Sequence, residues 1–147
     1  MKSNELFLEI KTKILNKNIK KPRPHDIELA FYNYTNYQEI LNKEVEDIEI
    51  KEINNNEISD LKEKLDYYFK EYPTYDDEFD EFIKYICLYL HFISKKPFHP
   101  AKAINNSYYC NLKEKYEYDK NSLCVDCIAK KTNTMNHFNY FIKNHNE

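Results

Sequence analysis

The sequence predicts a mainly α, single-domain helical bundle that ends in an irregular cysteine/histidine knuckle. Three observations carry that prediction. Apolar residues recur at three- and four-residue spacings through most of the first 94 positions, the period of one helix face. Glycine is absent from all 147 residues, which removes the usual residue for primed hairpin turns and left-handed helix caps and favours helices joined by loops. Three of the four cysteines fall with a histidine in one short stretch: His99, Cys110, Cys124 and Cys127, spaced H-x10-C-x13-C-x2-C.

Taken in order, residues 3–20 read as an amphipathic helix with Leu6, Phe7, Ile10, Ile14 and Leu15 on its apolar face. Pro22 and Pro24 break the chain, and Asp26 is placed to cap a second helix running to about Asn42. That helix presents Ile27, Phe31, Tyr34, Ile40 and Leu41, with Tyr32 and Tyr37 to one side. Residues 43–54 fit neither the helix nor the strand period and read as an acidic connector that extends a helix or joins two. After three asparagines, Ile58, Leu61, Leu65, Tyr68 and Tyr72 mark a third helix that Pro73 ends. A fourth starts at Thr74, with Asp77 three residues on as a capping partner, and runs to about Ser94. It is apolar on most faces, which marks it as the buried central helix. Lys95-Lys96-Pro97 terminates it. Residues 97–121 lose all periodicity, Ser122 is placed to cap a short helix to about Lys131, and Met135, Phe138, Phe141 and Ile142 indicate a closing helix. The expected organisation is one domain, 1–147: helical bundle 1–96, knuckle 97–131, closing helix 132–147.

Charge is uneven along the chain. Residues 1–94 carry 13 basic against 20 acidic side chains and residues 95–147 carry 9 against 5, within a total of −3. The positive part coincides with the cysteines. With no glycine-rich loop, the phosphate-cradling and dinucleotide motifs are excluded, because both need backbone without Cβ beside the phosphates. No nucleophile–base pair is legible. The longest apolar run, Tyr85 to Ile93, is far short of the roughly 20 residues a membrane span needs, and no secretion signal is visible. A cytoplasmic location is expected, and in a reducing compartment clustered cysteines point to a metal or redox site rather than disulfides.

Thiolates and imidazole together suit zinc or an iron–sulfur cluster, and a C-x2-C pair can occupy two corners of one tetrahedron. Cys124 and Cys127 follow Ser122, where backbone N–H groups face the sulfurs and favour the thiolate. Cys110 supplies a third sulfur, and His99, flanked by Phe98 and Pro100, is the favoured fourth ligand; His137 and His91 compete with it. Cys87, on the central helix, reads as core packing. The acidic run Asp76 to Glu81 is accounted for by the dipole at a helix start. Lysines 95, 96, 102, 113, 115 and 120, interleaved with Tyr108, Tyr109, Tyr116 and Tyr118, would offer a nucleic acid both phosphate and stacking contacts, but arginine occurs once and the whole chain is acidic.

The run Leu88-Tyr89-Leu90-His91-Phe92-Ile93-Ser94-Lys95-Lys96-Pro97-Phe98-His99-Pro100, followed by Tyr108-Tyr109-Cys110 and Leu123-Cys124-Val125-Asp126-Cys127, resembles the signature of an uncharacterised protein family of methanogenic archaea. The resemblance covers roughly residues 85–131. It implies that His99, Cys110, Cys124 and Cys127 belong to one constellation, and it implies no activity. The chain departs from that family's pattern in its glycine-free stretch from Ala101 to Asn106 and in Asn111, where the family has proline.

The expected function is therefore a non-enzymatic, zinc-stabilised interaction module with a protein partner. An iron–sulfur or other redox or metal-handling protein of anaerobic metabolism is the alternative, and a nucleic-acid-binding accessory the lesser one.

Overall fold

Helix α1 (Ser3–Leu15) is laid down by the apolar stripe Leu6, Phe7, Ile10 and Ile14, all four fully buried. Each such side chain contributes about 1.5–3 kcal/mol by leaving water. The computed structural model describes residues 1–15, 27–73, 77–104, 107–110, 116 and 122–131. The expected extension of α1 to residue 20 and the closing helix 132–147, with His137, lie outside the described residues. Leu15, assigned above to the buried face, is exposed.

Helix α2 (Ile27–Asn42) has the expected span, but the part of it whose side chains are described faces the core differently. Ile40 and Asn36 are buried, Tyr32 and Tyr37 pack partly against the core, and Tyr34 is 59% exposed. A polar residue overrides the apolar stripe because its amide is satisfied: Asn36 Nδ2 donates to the Tyr32 carbonyl at 3.0 Å. The Tyr32 hydroxyl, in turn, donates to the Pro97 carbonyl at 2.6 Å.

The connector does not continue a helix. After one 3-10 turn, Val45–Asp47, it runs extended beside the start of α1. Ser3 N–H donates to Lys51 O at 2.9 Å, Ile53 N–H to Met1 O at 2.9 Å, and the Ser3 hydroxyl to Glu49 O at 2.6 Å. These bonds use backbone groups that a helix start leaves unpaired, and they bury Ile48 while Ile50 stays exposed.

Helix α3 (Asn55–Glu71) begins at Asn54, whose side chain accepts from Asn56 N–H at 2.8 Å. It buries Ile58, Leu61 and Leu65, whereas Tyr72, expected on that face, is exposed. Helix α4 (Asp77–Leu88) carries an unbroken buried run over residues 85–90 and is the central helix. Both α1 and α3 pack on it; Phe7 lies 6.0 Å from the Tyr89 ring, and Tyr37 meets Phe82 edge-on at 5.3 Å.

Beyond Leu88 the helix widens into a π-helical segment, Tyr89–Ser94. It ends at Lys95, which has left-handed φ 56° and ψ 50°. Lys95 and Lys96 N–H both return to the Leu90 carbonyl, the closure that glycine normally serves.

The stretch expected to be irregular contains a small sheet. Strand β1 (Lys102–Ile104) pairs antiparallel with β2 (Ser107–Cys110), with Ala103 opposite Tyr108. Strand β3 (Lys130–Lys131) adds parallel to β2, with Cys110 opposite Lys131. The helix expected from Leu123 to Lys131 is a single 3-10 turn, Leu123–Val125. Asp126 and Cys127 N–H both bond Leu123 O, at 3.1 and 3.2 Å, and the chain then leaves helical geometry to pair with β2. Among the described residues no helix is long and apolar enough to cross a membrane.

Candidate functional site

Three segments meet beyond the end of the central helix: residues 97–101, the end of β2, and residues 123–129. They line a small open pocket, and His99, Cys110, Cys124 and Cys127 are all on its wall. Between them the wall is apolar, made by Pro97, Phe98, Leu123 and Ala129, with Ala101 at the side.

Each sulfur is brought there by a separate local device. Cys110 is the last residue of β2 and is held by pairing to β3. Cys124 is oriented by the Ser122 hydroxyl, which accepts its N–H at 3.1 Å. Asp126, one of the two residues between Cys124 and Cys127, is gripped from two sides. Lys64 Nζ of α3 lies 2.5 Å from Asp126 Oδ2. His91 of the π-helical segment hydrogen-bonds the Asp126 backbone; since that bond favours the protonated imidazole, the acceptor is the carbonyl. No cysteine is in a disulfide.

His99 is carried differently from the sulfurs. Pro97 and Phe98 before it are buried, Pro97 being pinned by Tyr32, but the His99 side chain is exposed and its backbone belongs to neither helix nor strand. His91 does not line the cavity: its ring stacks on Phe98 with centroids 6.0 Å apart and a 29° tilt. Its Nδ1 is buried without a hydrogen-bond partner, and burial lowers the pKa of the ring. Cys87 lies in the core beneath the site, as expected; burial pushes its thiol up to about 12, and the charge of Cys127 adds to the rise. Burial likewise raises Tyr68, with Cys87, Tyr72 and Cys124 contributing further.

Among the described residues no three His, Cys, Asp or Glu side chains are gathered closely enough to hold a metal ion. The four residues therefore share a cavity without converging on one point.

Two arrangements escaped the sequence reading. One is the grip on Asp126, for which a 62-residue separation leaves no local signal. The other joins Glu39, Lys43, Tyr89 and Lys96. Lys96 Nζ donates to Glu39 Oε2 at 2.9 Å, Lys43 Nζ donates to the Tyr89 hydroxyl at 3.2 Å, and that hydroxyl donates to Glu39. Burial alone would raise the Glu39 pKa, but the hydrogen bonds from Tyr89 and Lys96 and the two lysine charges bring it below 4.5. Only its Glu39–Lys43 spacing, one helical turn, was visible in sequence.

The family described as "Uncharacterized protein conserved in archaea (DUF2115)" matches residues 2–132. The UPF0305 protein MJ0646 of Methanocaldococcus jannaschii is 30% identical over 159 aligned positions, covering 88% of this chain and 96% of that protein. No solved structure matches the chain.

Proposed function

The chain belongs to the DUF2115 family of uncharacterised proteins conserved in archaea, and from that premise we propose that residues 97–131 form a zinc-binding knuckle on a helical interaction module. Cys110, Cys124, Cys127 and His99 are the ligands of this reading. The observation that carries it is that all four line a single cavity, although 28 positions separate the first from the last. Three thiols and an imidazole are a borderline-soft donor set of the kind zinc takes in structural sites. Because no three of these side chains are close enough to hold a metal among the described residues, binding would have to draw them in, and that free energy would count as folding free energy of this segment.

The module acts through contacts with a protein partner rather than through a reaction of its own. Tyr67 on α3, Tyr72 just past its end and Ile128 beside Cys127 are exposed, and aromatic residues are enriched at protein interfaces.

The test is elemental analysis of protein purified without oxygen or added metal, alongside Cys124→Ala. One zinc per chain, lost together with a drop in melting temperature in Cys124→Ala, is the expected result. Chelation should then raise amide exchange in residues 97–131 well above that in α1 and α4. Iron with inorganic sulfide would move the protein to redox chemistry, and a metal-free chain whose stability ignores Cys124→Ala would refute the knuckle.

A further inference from the structure

We propose that Cys124 and Cys127 form a dithiol pair that reduces disulfides with uncharged, apolar arms, Cys124 attacking and Cys127 resolving. The inference needs two sulfurs and no metal, and it stands independently of the zinc reading.

The turn sets the pair. Leu123–Val125 is a 3-10 turn, Asp126 continues it at φ −91° and ψ −9°, and Asp126 and Cys127 N–H both return to Leu123 O. In such a turn side chains three apart eclipse, and a rise of about 2.0 Å per residue leaves their Cα atoms about 6 Å apart. Disulfides join Cα atoms roughly 4.4–6.8 Å apart. The Ser122 cap on Cys124 N–H and the Lys64 ion pair with Asp126 hold the turn in that form. Neither tie involves a sulfur, so closing the bond breaks neither.

The two sulfurs differ in their surroundings. Cys127 packs against the hydrophobic core, and its charge bears on the buried Cys87 thiol. An attacking thiolate must meet an external S–S bond, whereas a resolving one needs only to reach the sulfur already bonded beside it. The core-packed Cys127 suits the second task, which leaves the first to Cys124.

The pocket wall selects the substrate. Pro97, Phe98, Leu123 and Ala129 are apolar, and no Asp, Glu, Lys or Arg lines the pocket among the described residues. A neutral apolar arm fits there, while a charged one would lose water without gaining a partner. Cys124 forms a bond to one substrate sulfur as the substrate S–S bond breaks, and the other sulfur leaves as a thiolate. Cys127 then attacks the Cys124 sulfur and expels the second thiolate. Two electrons pass from the pair to the substrate, and the two protons shed by the cysteines reach the two departing thiolates through solvent. The pair is left as a disulfide, which an external dithiol reduces.

The experiment mixes the full chain, as purified without oxygen, with 2-hydroxyethyl disulfide and separately with oxidised glutathione, whose arms are charged. The expected products are two equivalents of 2-mercaptoethanol and a mapped Cys124–Cys127 disulfide, with glutathione slower by about tenfold or more. Cys127→Ser should stop halfway, with one hydroxyethylthio group trapped on Cys124. Cys124→Ser should react about tenfold or more slowly, since its remaining thiol is the less accessible. No reaction, a link to Cys110, equal rates with both disulfides, or wild-type speed in Cys124→Ser would overturn the proposal and leave the knuckle to its elemental analysis. A zinc-free chain that gives the expected products would overturn the knuckle alone.

Discussion

The two ends of the central helix are stabilised by different means. Around α4 the core is continuous: four side chains of α1, three of α3 and the run 85–90 exclude water from one another. Beyond Ser94 the core thins to Pro97, Phe98, Leu123 and Ala129, and single ties supplement it: Tyr32 to Pro97, Lys96 to Glu39, Lys64 and His91 to Asp126, and two short strand pairings. Burial is additive and non-directional, so the first region tolerates redistribution of apolar volume. Polar ties depend on one geometry each, so the loss of a single donor or acceptor is felt in full.

Substitutions should separate the two regions by size of effect. Phe7→Ala removes a fully buried ring and should destabilise the whole chain by about 3–5 kcal/mol, read as a shifted denaturant midpoint with the same slope. A much smaller loss would mean that α1 is not integral to the core. Asp126→Asn keeps the shape of the turn but ends the ion pair with Lys64. It should cost about 1–2 kcal/mol, with amide exchange rising in residues 122–131 before it rises in α1. Equal change in both regions would erase the distinction drawn here.

Glu39→Gln probes a tie by pH. The carboxylate has a folded-state pKa below 4.5, so its unfolded form takes up protons first as pH falls. Its contribution is present above 4.5 and is lost as pH drops through the lowered folded value. Wild type should therefore exceed Glu39→Gln in stability near neutrality by about 1 kcal/mol, and the two denaturation curves should converge in acid. The smallest effect is expected at Lys95. Its left-handed backbone carries a steric penalty of about 1 kcal/mol that glycine does not, so Lys95→Gly should raise the melting temperature slightly. A fall would show that the lysine side chain contributes more than its backbone costs.

Periodicity made the helices legible because burial along a regular helix repeats in the chain itself. Leu6, Phe7, Ile10 and Ile14, and Ile58, Leu61 and Leu65, stand in the core as their spacing indicates. Spacing was less informative where a tyrosine could face either way: Tyr34 and Tyr72 are exposed, while Asn36 is buried with its amide bonded to a carbonyl. The cysteines and His99 could be grouped from residue type alone, and they do share a cavity.

By itself the sequence determined the helical class, the central position of α4, the end of that helix at Lys95-Lys96-Pro97 and the grouping of His99 with three cysteines. These follow from local properties: side-chain period, the conformational limits of proline, the absence of glycine and the donor chemistry of sulfur and nitrogen. Tertiary structure alone decided that the connector would run extended beside α1, that β2 would lie between β1 and β3, and that Asp126 would be gripped by Lys64 and His91. The connector, the β2–β3 pairing and the grip on Asp126 each join residues far apart in the chain, where geometry in space, not spacing in sequence, sets which donor meets which acceptor.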